Sequence, residues 1–382
     1  MHLRFVLFLI LLSSLLRAEI DYIVENTNFT INQGSLGQTG AKDHLYNYDR
    51  LRLNLDYTEG DYFIKLIGDG VNYLGEQYID SPYFALTTQI KSDTPFKTQT
   101  SFYDYKVGTT YAKLYRLYGG YEDDKNKITL GLQNITMGVG RLWTPTNLFN
   151  PKNIYTLEPD EVFGVAAISY TRHINDTTDI SVTSSVRKDN SLKYAARYKT
   201  FQDFADIAVD ALYSNNTKMI GYEIEANLGE TGVEVRSEGA FISSKLVFQQ
   251  ENMDFFQGII GADYGFVNGI TVVFEALYSS QTFTLTEVLA NLNSDIVGNL
   301  TYSNFYAGGT LSYSFNIFLD ASLIYIESFN NKNSRFVSPT LTYTLNDYNT
   351  FILGAMLQFG EKGSEFGSYK SNTYYLNYKL SF

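Results

Sequence analysis

The stretch "DRLRLNLDY", residues 49–57, alternates between polar and apolar side chains. Successive side chains of a β-strand point to opposite faces, so this period of two predicts a strand with one apolar and one charged face. The apolar positions are Leu51, Leu53, Leu55 and Tyr57, and the polar positions are Arg50, Arg52, Asn54 and Asp56. Such a strand separates an apolar environment from an aqueous one.

The same alternation recurs along the chain in segments of about ten residues, separated by turn residues. It is clear in "ADIAVDALY" (205–213), in "KMIGYEIEANL" (218–228) and in the terminal "NTYYLNYKLSF" (372–382). We predict eighteen strands, at residues 20–32, 45–58, 61–73, 109–121, 127–137, 163–173, 177–187, 191–199, 204–213, 217–227, 231–239, 253–265, 269–280, 303–315, 317–327, 334–345, 348–359 and 372–382.

The connections between these predicted strands fall into two classes. Those after even-numbered strands are short, such as "EGD" (59–61), "IND" (174–176) and "VNG" (267–269). The longest follow odd-numbered strands, at 74–108, 138–162, 281–302 and 360–371. Outer-membrane barrels sort their loops in this way, with short periplasmic turns and long outer loops. An even number of strands would also place both termini in the periplasm.

These patterns predict an all-β fold, a transmembrane antiparallel β-barrel of about 18 strands, with 16 as the alternative. A soluble sandwich or solenoid would also alternate, but it would not carry charges opposite the apolar face on strand after strand. A barrel of 16 to 18 strands encloses an aqueous channel. We therefore expect residues 19–382 to form a single barrel domain in a bacterial outer membrane.

Residues 1–18 have a different character from the predicted strands. Arg4 precedes an apolar run, and Leu16 and Ala18 stand before the expected cleavage point, as in a secretory signal peptide. An uncleaved anchor is the alternative, although the apolar run is short for a membrane span. The chain has no cysteine, which excludes disulfides and thiolate chemistry. Its net charge of -12, without a basic arm, predicts no nucleic-acid partner.

The segment "LYRLYGGYEDDKNKITLGLQNITMGVGRLWTPTNLFNP", residues 114–151, resembles a stretch of a broad group of porin-like outer-membrane proteins of Gram-negative bacteria. In that group an "LGxQ"-like strand leads into a "GxGRxWxPxxLFNP"-like loop, often with Asp where this chain has Asn147. "GADYGF" (261–266) and "GSEFG" (363–367) are also similar to that group. The resemblance implies a porin barrel and names no solute. The matching residues are Leu130, Gly131, Gln133, Gly138, Gly140, Arg141, Trp143, Pro145, Leu148, Phe149, Asn150 and Pro151.

The last predicted strand resembles the C-terminal signal of bacterial outer-membrane proteins, which ends in Phe with aromatic and apolar residues on alternate positions. The resemblance implies that the barrel-assembly machinery recognises this strand. The matching residues are Tyr374, Leu376, Tyr378, Leu380 and Phe382. Membrane lipid is the other partner that a barrel of this kind implies.

Charges on the predicted inner face are sorted by sign along the chain. If every apolar face meets lipid, the first half of the barrel presents mostly bases to the lumen and the second half mostly acids. Opposed walls would create a transverse field, although any barrel places its charges inside and part of the sorting can be chance. The facing of Arg116 is ambiguous by one residue. The predicted basic wall is Arg50, Arg52, Lys65, Arg172, Arg187, Lys193 and Arg197. The predicted acidic wall is Asp206, Asp210, Glu223, Glu225, Glu234, Glu238, Asp263 and Glu275.

The connection 138–162 is long and contains three of the six prolines. A stiff loop of this length could fold into the lumen and narrow it, or it could pack outward on the rim of the barrel. In the first case we expect a constriction formed by Arg141, Trp143, Glu158, Asp160 and Glu161.

The function that these features predict is a porin, a passive channel for small hydrophilic solutes or ions. The alternative is a non-conducting surface protein, such as an adhesin or an assembly component, that acts through its outer loops. No enzyme, metal or cofactor is expected, because only His44 and His173 follow the signal peptide and neither has metal-ligand spacing. Solute identity, ion selectivity and oligomeric state, with a homotrimer as one option, stay open.

Overall fold

The computed structural model describes residues 19–34, 43–247, 249–330, 332–368 and 371–382. These residues form a sheet of nineteen strands, eighteen of which close into an antiparallel barrel. The predicted signal peptide, residues 1–18, lies outside the described residues. The strands are β1 (Glu19–Gln33), β2 (His44–Glu59), β3 (Tyr62–Leu74), β4 (Gln99–Tyr105), β5 (Gly108–Glu122), β6 (Asn126–Gln133), β7 (Val165–Asn175), β8 (Thr178–Val186), β9 (Leu192–Gln202), β10 (Ala205–Tyr213), β11 (Thr217–Asn227), β12 (Val233–Ser244), β13 (Met253–Gly265), β14 (Ile270–Ser279), β15 (Phe305–Asn316), β16 (Leu319–Ser328), β17 (Ser334–Asn346), β18 (Asn349–Gly360) and β19 (Thr373–Ser381).

The described helices are short and lie in the long connections. Ser81 caps one of them, since its hydroxyl accepts a hydrogen bond from the backbone of Phe84 at 3.3 Å. None of the described helices is long and apolar enough to cross a membrane. The helices are α1 (Glu76–Ile79), α2 (Pro82–Gln89), α3 (Leu285–Ala290) and α4 (Glu365–Ser368), with single 3-10 turns at Gly229–Thr231 and Val297–Asn299.

The barrel closes between its first and last strands. β1 pairs with β19, from Glu25 opposite Ser381 to Gln33 opposite Thr373, and it pairs with β2 on its other side. Strands that follow one another around the ring are antiparallel neighbours. Closure satisfies the backbone groups that an open edge would expose to hydrocarbon. The predicted barrel of 18 strands is confirmed, and the alternative of 16 is wrong.

Among the described strands, β4 alone stands outside the closed ring. β5 pairs with β3 over most of its length, with β6 through 117–122, and with β4 through 108–113. β6 ends at Gln133, so β4 pairs with the part of β5 that extends beyond it. The alternation does not predict β4, and it predicts that β6 continues to residue 137, four residues beyond its end at Gln133.

Side chains alternate across the barrel wall as the period of two predicts. Leu51 and Leu53 are 53% and 42% exposed on the outer surface, whereas Arg50 and Arg52 are buried on the inner side. The apolar outer surface continues on the far side of the barrel, where Ile220 is 67% exposed. An apolar exterior and a charged interior are typical of a barrel that lies in lipid.

A β-bulge in β5 interrupts this alternation. Ile67 of β3 pairs with Arg116, and the next residue, Gly68, pairs with Leu114, so Tyr115 is the extra residue. Tyr115 and Arg116 are therefore both buried inside the barrel, although they are neighbours in sequence. This shift by one residue resolves the ambiguous facing of Arg116.

Candidate functional site: a loop across the lumen

The connection between β6 and β7, residues 134–164, crosses the interior of the barrel, and we call it the inner loop. Its first half contacts β11, β12 and β14, where Glu223, Glu238 and Glu275 accept its hydrogen bonds. Its second half contacts β2, where Arg50 and Arg52 bind its side chains. The loop therefore joins the side of the barrel that is rich in acids to the side that is rich in bases.

Carboxylates of two buried glutamates hold the first half of the inner loop through its backbone. Glu223 accepts a hydrogen bond from the Gly138 N–H at 2.6 Å. Glu238 accepts from the Val139 and Gly140 N–H groups at 2.8 and 3.1 Å. Hydrogen bonds to an ionised acceptor are stronger than those between neutral groups, so these contacts fix the loop without using its side chains.

Glu275 continues this series. It accepts hydrogen bonds from the backbone N–H groups of Arg141 at 2.5 Å, Leu142 at 2.8 Å and Trp143 at 3.3 Å. Consecutive N–H groups from residue 138 to residue 143 thus point at three carboxylates, in the manner of an anion-binding backbone segment. Glu275 is fully buried, which keeps water from competing for these donors.

Glycine is required at the start of this segment. Gly138 has φ of 92°, a conformation that favours glycine. A Cβ at this position would lie 2.7 Å from a carboxylate oxygen of Glu238. The same carboxylate accepts from both the N–H and the hydroxyl of Thr146, each at 2.7 Å. Any larger residue at position 138 would therefore displace the anchor.

The Arg141 side chain is half-exposed and points at the remaining acids of this wall. Its guanidinium lies 3.1 Å from Glu225, 2.6 Å from Glu234 and 3.3 Å from Asp263. Arg236 is buried behind them and pairs with Asp263 and, at 3.2 Å, with Glu275. These carboxylates are thus occupied by arginines and by the loop backbone.

On the opposite wall, side-chain ion pairs hold the second half of the inner loop. Arg50 donates two hydrogen bonds to Glu158, at 2.8 and 3.0 Å. Arg52 donates two to Glu161, at 2.8 and 2.9 Å, and two more to Asp69 of β3. Paired bonds of this kind exploit the planar fork of the guanidinium group.

The two loop carboxyls on this side titrate differently. Burial raises the pKa of Glu158 above its ordinary value, and the charge of Arg50 offsets only part of this rise. Burial also disfavours the charged form of Glu161, but the hydrogen bonds from Arg52 and the nearby arginine charges hold its pKa below the ordinary value. Glu158 is therefore the first of the pair to take up a proton as the pH falls.

Two cavities lie on opposite sides of the inner loop. The outer cavity, about 780 Å³, lies toward the long connections and is lined by tyrosines of β2 and β3 and by Glu158 and Glu161. The inner cavity, about 540 Å³, lies toward the short turns and is lined by Lys65, Arg116 and Asp160. Within residues 158–162, Asp160 lines the inner cavity and the other four line the outer cavity, so this segment lies at the boundary between the two.

Two cations beside this boundary have no carboxylate partner among the described residues. Arg116 donates to the backbone carbonyls of Tyr115 at 2.7 Å and of Val162 at 2.9 Å. The Lys113 ammonium lies 4.9 Å from the centre of the Tyr115 ring and 5.6 Å from that of Phe163. The alternation did not select Lys113 because the bulge at Tyr115 exchanges the two faces of β5.

Three residues of the predicted basic wall lie near the ends of the barrel. Arg187 donates to Asp93 at 2.7 Å and lies 3.3 Å from Asp295, which also pairs with Lys193 at 2.7 Å. These contacts tie two long connections to β8 and β9 beside the outer cavity. Lys65 pairs with Asp56 at 3.0 Å toward the short turns.

Arg172 does not face the lumen, and its prediction is corrected. It has the same parity in β7 as Ile168 and Tyr170, which are exposed on the outer surface. Its guanidinium donates to Asn126 of β6 at 2.7 Å, near the short turns. A cation at this height can reach the water beyond the membrane, which explains how an outward arginine is tolerated.

The remaining predicted residues also have defined partners. Arg197 pairs with Glu223 and lies 3.6 Å from Asp210. The indole of Trp143 packs against Tyr306, with ring centres 6.0 Å apart. Two weaker pairs join exposed side chains, Asp206 with Lys199 at 3.4 Å and Asp160 with Lys152 at 2.9 Å.

Neither histidine is part of a catalytic arrangement among the described residues. His173 Nδ1 lies 2.5 Å from an Asp179 oxygen, but no described hydroxyl bonds to its ring. The His44 ring lies edge-on to Tyr83, with ring centres 5.9 Å apart. No group of three potential metal ligands occurs in the described part of the chain.

A scan against models of known protein families and a search of curated proteins find no match for this sequence. Solved structures do match. OccAB1 of Acinetobacter baumannii superposes with a TM-score of 0.63 over 95% of this chain and 96% of its own, at 10% sequence identity. This chain has the fold of an outer-membrane porin.

Two proteins of Pseudomonas aeruginosa share this porin fold. OccD3 (OpdP) has a TM-score of 0.57 at 10% identity, with 95% of this chain and 91% of that chain covered. The outer membrane protein OpdK has a TM-score of 0.58 at 8% identity, with 95% and 99% covered. Identity this low relates the folds alone, so the residues of the lumen are interpreted from their own contacts.

Proposed function

We propose that this chain is a channel of a bacterial outer membrane through which small hydrophilic solutes diffuse passively. The observation that carries the proposal is the pair of cavities that approach each other at residues 158–162 of the inner loop. A barrel of about 18 strands has room for an aqueous lumen. Because the inner loop spans that lumen, it limits the size of the solutes that can pass.

We place the passage along β2, β3 and β5. The outer cavity is lined by residues of β2 and β3, and the inner cavity by residues of β2, β3 and β5, including Arg116, which has no carboxylate partner among the described residues. The acidic residues opposite them bind the backbone of the inner loop. We therefore assign the acids to holding the constriction and the bases of β2 and β5 to the passage itself. This assignment replaces the two opposed walls of free charge that the sequence suggested.

A small solute is the expected cargo. A solved structure of OpdK contains vanillate, and that structure has a TM-score of 0.56 with this chain at 8% identity. We extend to this chain only the class of small solutes, since the lumen residues are its own. The chain is assigned no enzymatic activity, because transport through a barrel needs no reacting group.

A planar-bilayer recording tests the channel directly. Folded protein should give discrete conductance steps, and the reversal potential in a salt gradient should report which ions are preferred. Protein that inserts and folds but gives no steps would contradict the channel and favour the non-conducting surface protein. A folded barrel changes its gel mobility on heating. A preparation that does not show this change is unfolded and is unsuitable for the recording.

We further propose that the terminal strand is recognised by the barrel-assembly machinery. Phe382 exchanges two backbone hydrogen bonds with Val24 of β1, at 2.8 and 3.0 Å, where the barrel closes. Deleting Phe382 should lower the amount of membrane-inserted protein while leaving the conductance of each inserted channel unchanged. Phe382→Tyr, which keeps an aromatic terminus, should insert normally. Normal insertion after the deletion would contradict this proposal.

We also propose that the chain forms a homotrimer, one of the oligomeric states with which the sequence is compatible. Charged and amide side chains on the membrane-facing surface of a barrel are covered more favourably by protein than by lipid. This barrel carries such side chains on β1, β2 and β3.

A further inference from the structure

The outer surface of β1, β2 and β3 carries a contiguous group of amide, hydroxyl and carboxylate side chains, whereas the outer surface of the other described strands is mainly apolar. They have the same outward parity as Leu51 and Leu53, which are exposed. We call this set the outer polar patch, and it consists of Asn26, Asn28, Thr30, Asn47, Asp49 and Asn72.

The strand register brings the side chains of this patch together. Asn28 lies opposite Asp49 on β2, and Asp49 lies opposite Asn72 on β3. Asn26 and Asn28 donate to the same Asp49 oxygen, Oδ1, at 3.0 and 2.9 Å. Asn47 donates to the Asn28 amide oxygen at 2.9 Å. The second Asp49 oxygen, Oδ2, has no donor among the described residues.

The carboxylate lies within the height of the apolar band. On β2, Leu45 stands on one side of Asp49 and Leu51 on the other, and both are exposed. Asp49 is eight positions from Tyr57 at the short-turn end, which corresponds to roughly 20 Å of height on a tilted strand, within an apolar band of about 25 Å. Acyl chains offer no donor to a carboxylate at this height.

Some other outer-surface charges of the barrel have a partner of the opposite sign. Glu327 on β16, for example, pairs with Arg335 of β17 at 3.1 Å. Asp49 has no cation partner among the described residues and relies on amide donors. A neighbouring molecule that meets this patch must therefore bring further hydrogen-bond donors rather than anionic headgroups.

Small residues beside the patch leave room for such a neighbour. Gly68 and Gly70 face outward on β3, and a Cβ on either would meet no atom closer than 4.0 Å. Neither has the positive φ that favours glycine, so the chain's own fold does not require glycine at these positions. Glycine weakens a strand interior, whereas small residues let two membrane proteins approach closely. Ala112, which pairs with Gly70, extends the depression onto β5.

We propose that the outer polar patch is the contact surface for a second copy of this chain. Asparagine amides both donate and accept, so identical patches can bond to one another, and an amide of the neighbour can reach the free Asp49 oxygen. Patches that face each other across a two-fold axis give a dimer, and patches that meet around a three-fold axis give a trimer. The proposal rests on the barrel lying in a membrane, as the proposed function requires, and does not depend on conduction.

Gly70→Leu tests the surface while leaving the inside of the barrel unchanged. The added side chain would project from the depression into the space that the second copy should occupy. Ala262→Leu on the outer face of β13 is the matched control, because its neighbour of the same parity, Ile260, is exposed on the far side of the barrel. The mass of the protein in mild detergent, measured by light scattering with the detergent subtracted, is the readout. Wild type and Ala262→Leu should have several times the mass of one chain, and Gly70→Leu should have the mass of one chain.

A second variant removes the polar side chains of the patch and leaves the depression at Gly70 open. Asn28→Leu combined with Asp49→Leu should also give single chains, and both variants should keep the heat-dependent gel mobility of a folded barrel. A Gly70→Leu protein that stays oligomeric would overturn the proposal. A wild-type protein that is monomeric in detergent and does not cross-link in vesicles would also overturn the proposal. The same holds if lipopolysaccharide is bound to that monomeric protein. An oligomeric wild type that does not conduct would refute the channel and support this surface.

Discussion

The two halves of the inner loop are held to the barrel in different ways. Between residues 138 and 146, backbone N–H groups bind the buried carboxylates of Glu223, Glu238 and Glu275. Between residues 158 and 161, glutamate side chains pair with Arg50 and Arg52 beside the two cavities. The first set of contacts depends on the barrel and on the loop backbone, and the second depends on the loop side chains.

The two sets of contacts therefore have different roles: those at residues 138–146 hold the inner loop in place, and those at residues 158–161 influence which ions pass. The carboxylates that bind the backbone are excluded from water, so dissolved salt screens them little. The ion pairs at residues 158 and 161 border the cavities, where solutes and ions can compete for their charges. We therefore expect substitutions on the acidic side to change the width of the passage and substitutions on the basic side to change its ion preference.

Loss of the backbone anchors should have the largest effect. In Glu238→Gln combined with Glu275→Gln, the acceptors of six loop N–H groups lose their charge. Each bond to a charged acceptor contributes about 1.5–3 kcal/mol, so the first half of the loop should detach and single-channel conductance should rise several-fold. Glu327→Gln, on the outer surface, is the control. Unchanged conductance in the double variant would show that these carboxylates do not hold a constriction.

Charge changes on the basic side should alter selectivity more than conductance. Glu161→Gln leaves Arg52 less compensated and should shift the reversal potential toward anions, whereas Arg52→Gln should shift it toward cations. Arg197→Gln is the control, because Arg197 pairs with Asp210 and Glu223 of the other wall and not with residues 158–162. Equal shifts for Arg197 and Arg52 would restore the idea of two opposed charged walls.

A smaller effect should follow from acidification. The pKa of Glu158 is raised by burial and that of Glu161 is held down by Arg52, so Glu158 becomes neutral at a higher pH than Glu161. Between those two transitions the counter-charge of Arg50 is reduced to Glu161, which lies 3.4 Å away, and the reversal potential should move toward anions as the pH falls. Glu158→Gln should already show this shift at neutral pH and lose the first transition. A pH response that persists unchanged in Glu158→Gln would assign it to another group.

The smallest effect is expected for an exposed ion pair away from the lumen. Lys332 and Glu361 lie 3.9 Å apart in two outer connections, and both side chains are exposed. Pairs of this kind contribute at most about 1 kcal/mol, so Lys332→Gln should leave conductance and selectivity unchanged. The temperature at which the barrel loses its heat-dependent mobility should shift only slightly. A clear change in conductance would show that the outer connections gate the passage.

The alternation predicted the strands well because each strand has lipid on one face and water on the other. It failed where one residue changes the facing, as at the Tyr115 bulge, and where polarity and facing disagree, as at Arg172. Asp49 lies on the apolar face of the stretch "DRLRLNLDY" and was not singled out.

The path of the inner loop could not be predicted from the alternation, which the loop lacks. The sequence alone is therefore compatible with both an inward and an outward path for the loop. Its position depends on contacts over 85 to 134 residues of sequence, such as Gly138 with Glu223 and Arg141 with Glu275. The alternation predicts an inner face for the glutamates that accept those bonds, but a period of two cannot show what an inner side chain binds.

The most direct test places a single cysteine at the boundary between the cavities. The chain has no cysteine, so Asp160→Cys introduces the only thiol, at a site that lines the inner cavity. A bulky water-soluble thiol reagent added during a bilayer recording should reduce the current through this variant and leave wild type unaffected. Current that continues unchanged after complete labelling of Asp160→Cys would contradict a passage at residues 158–162.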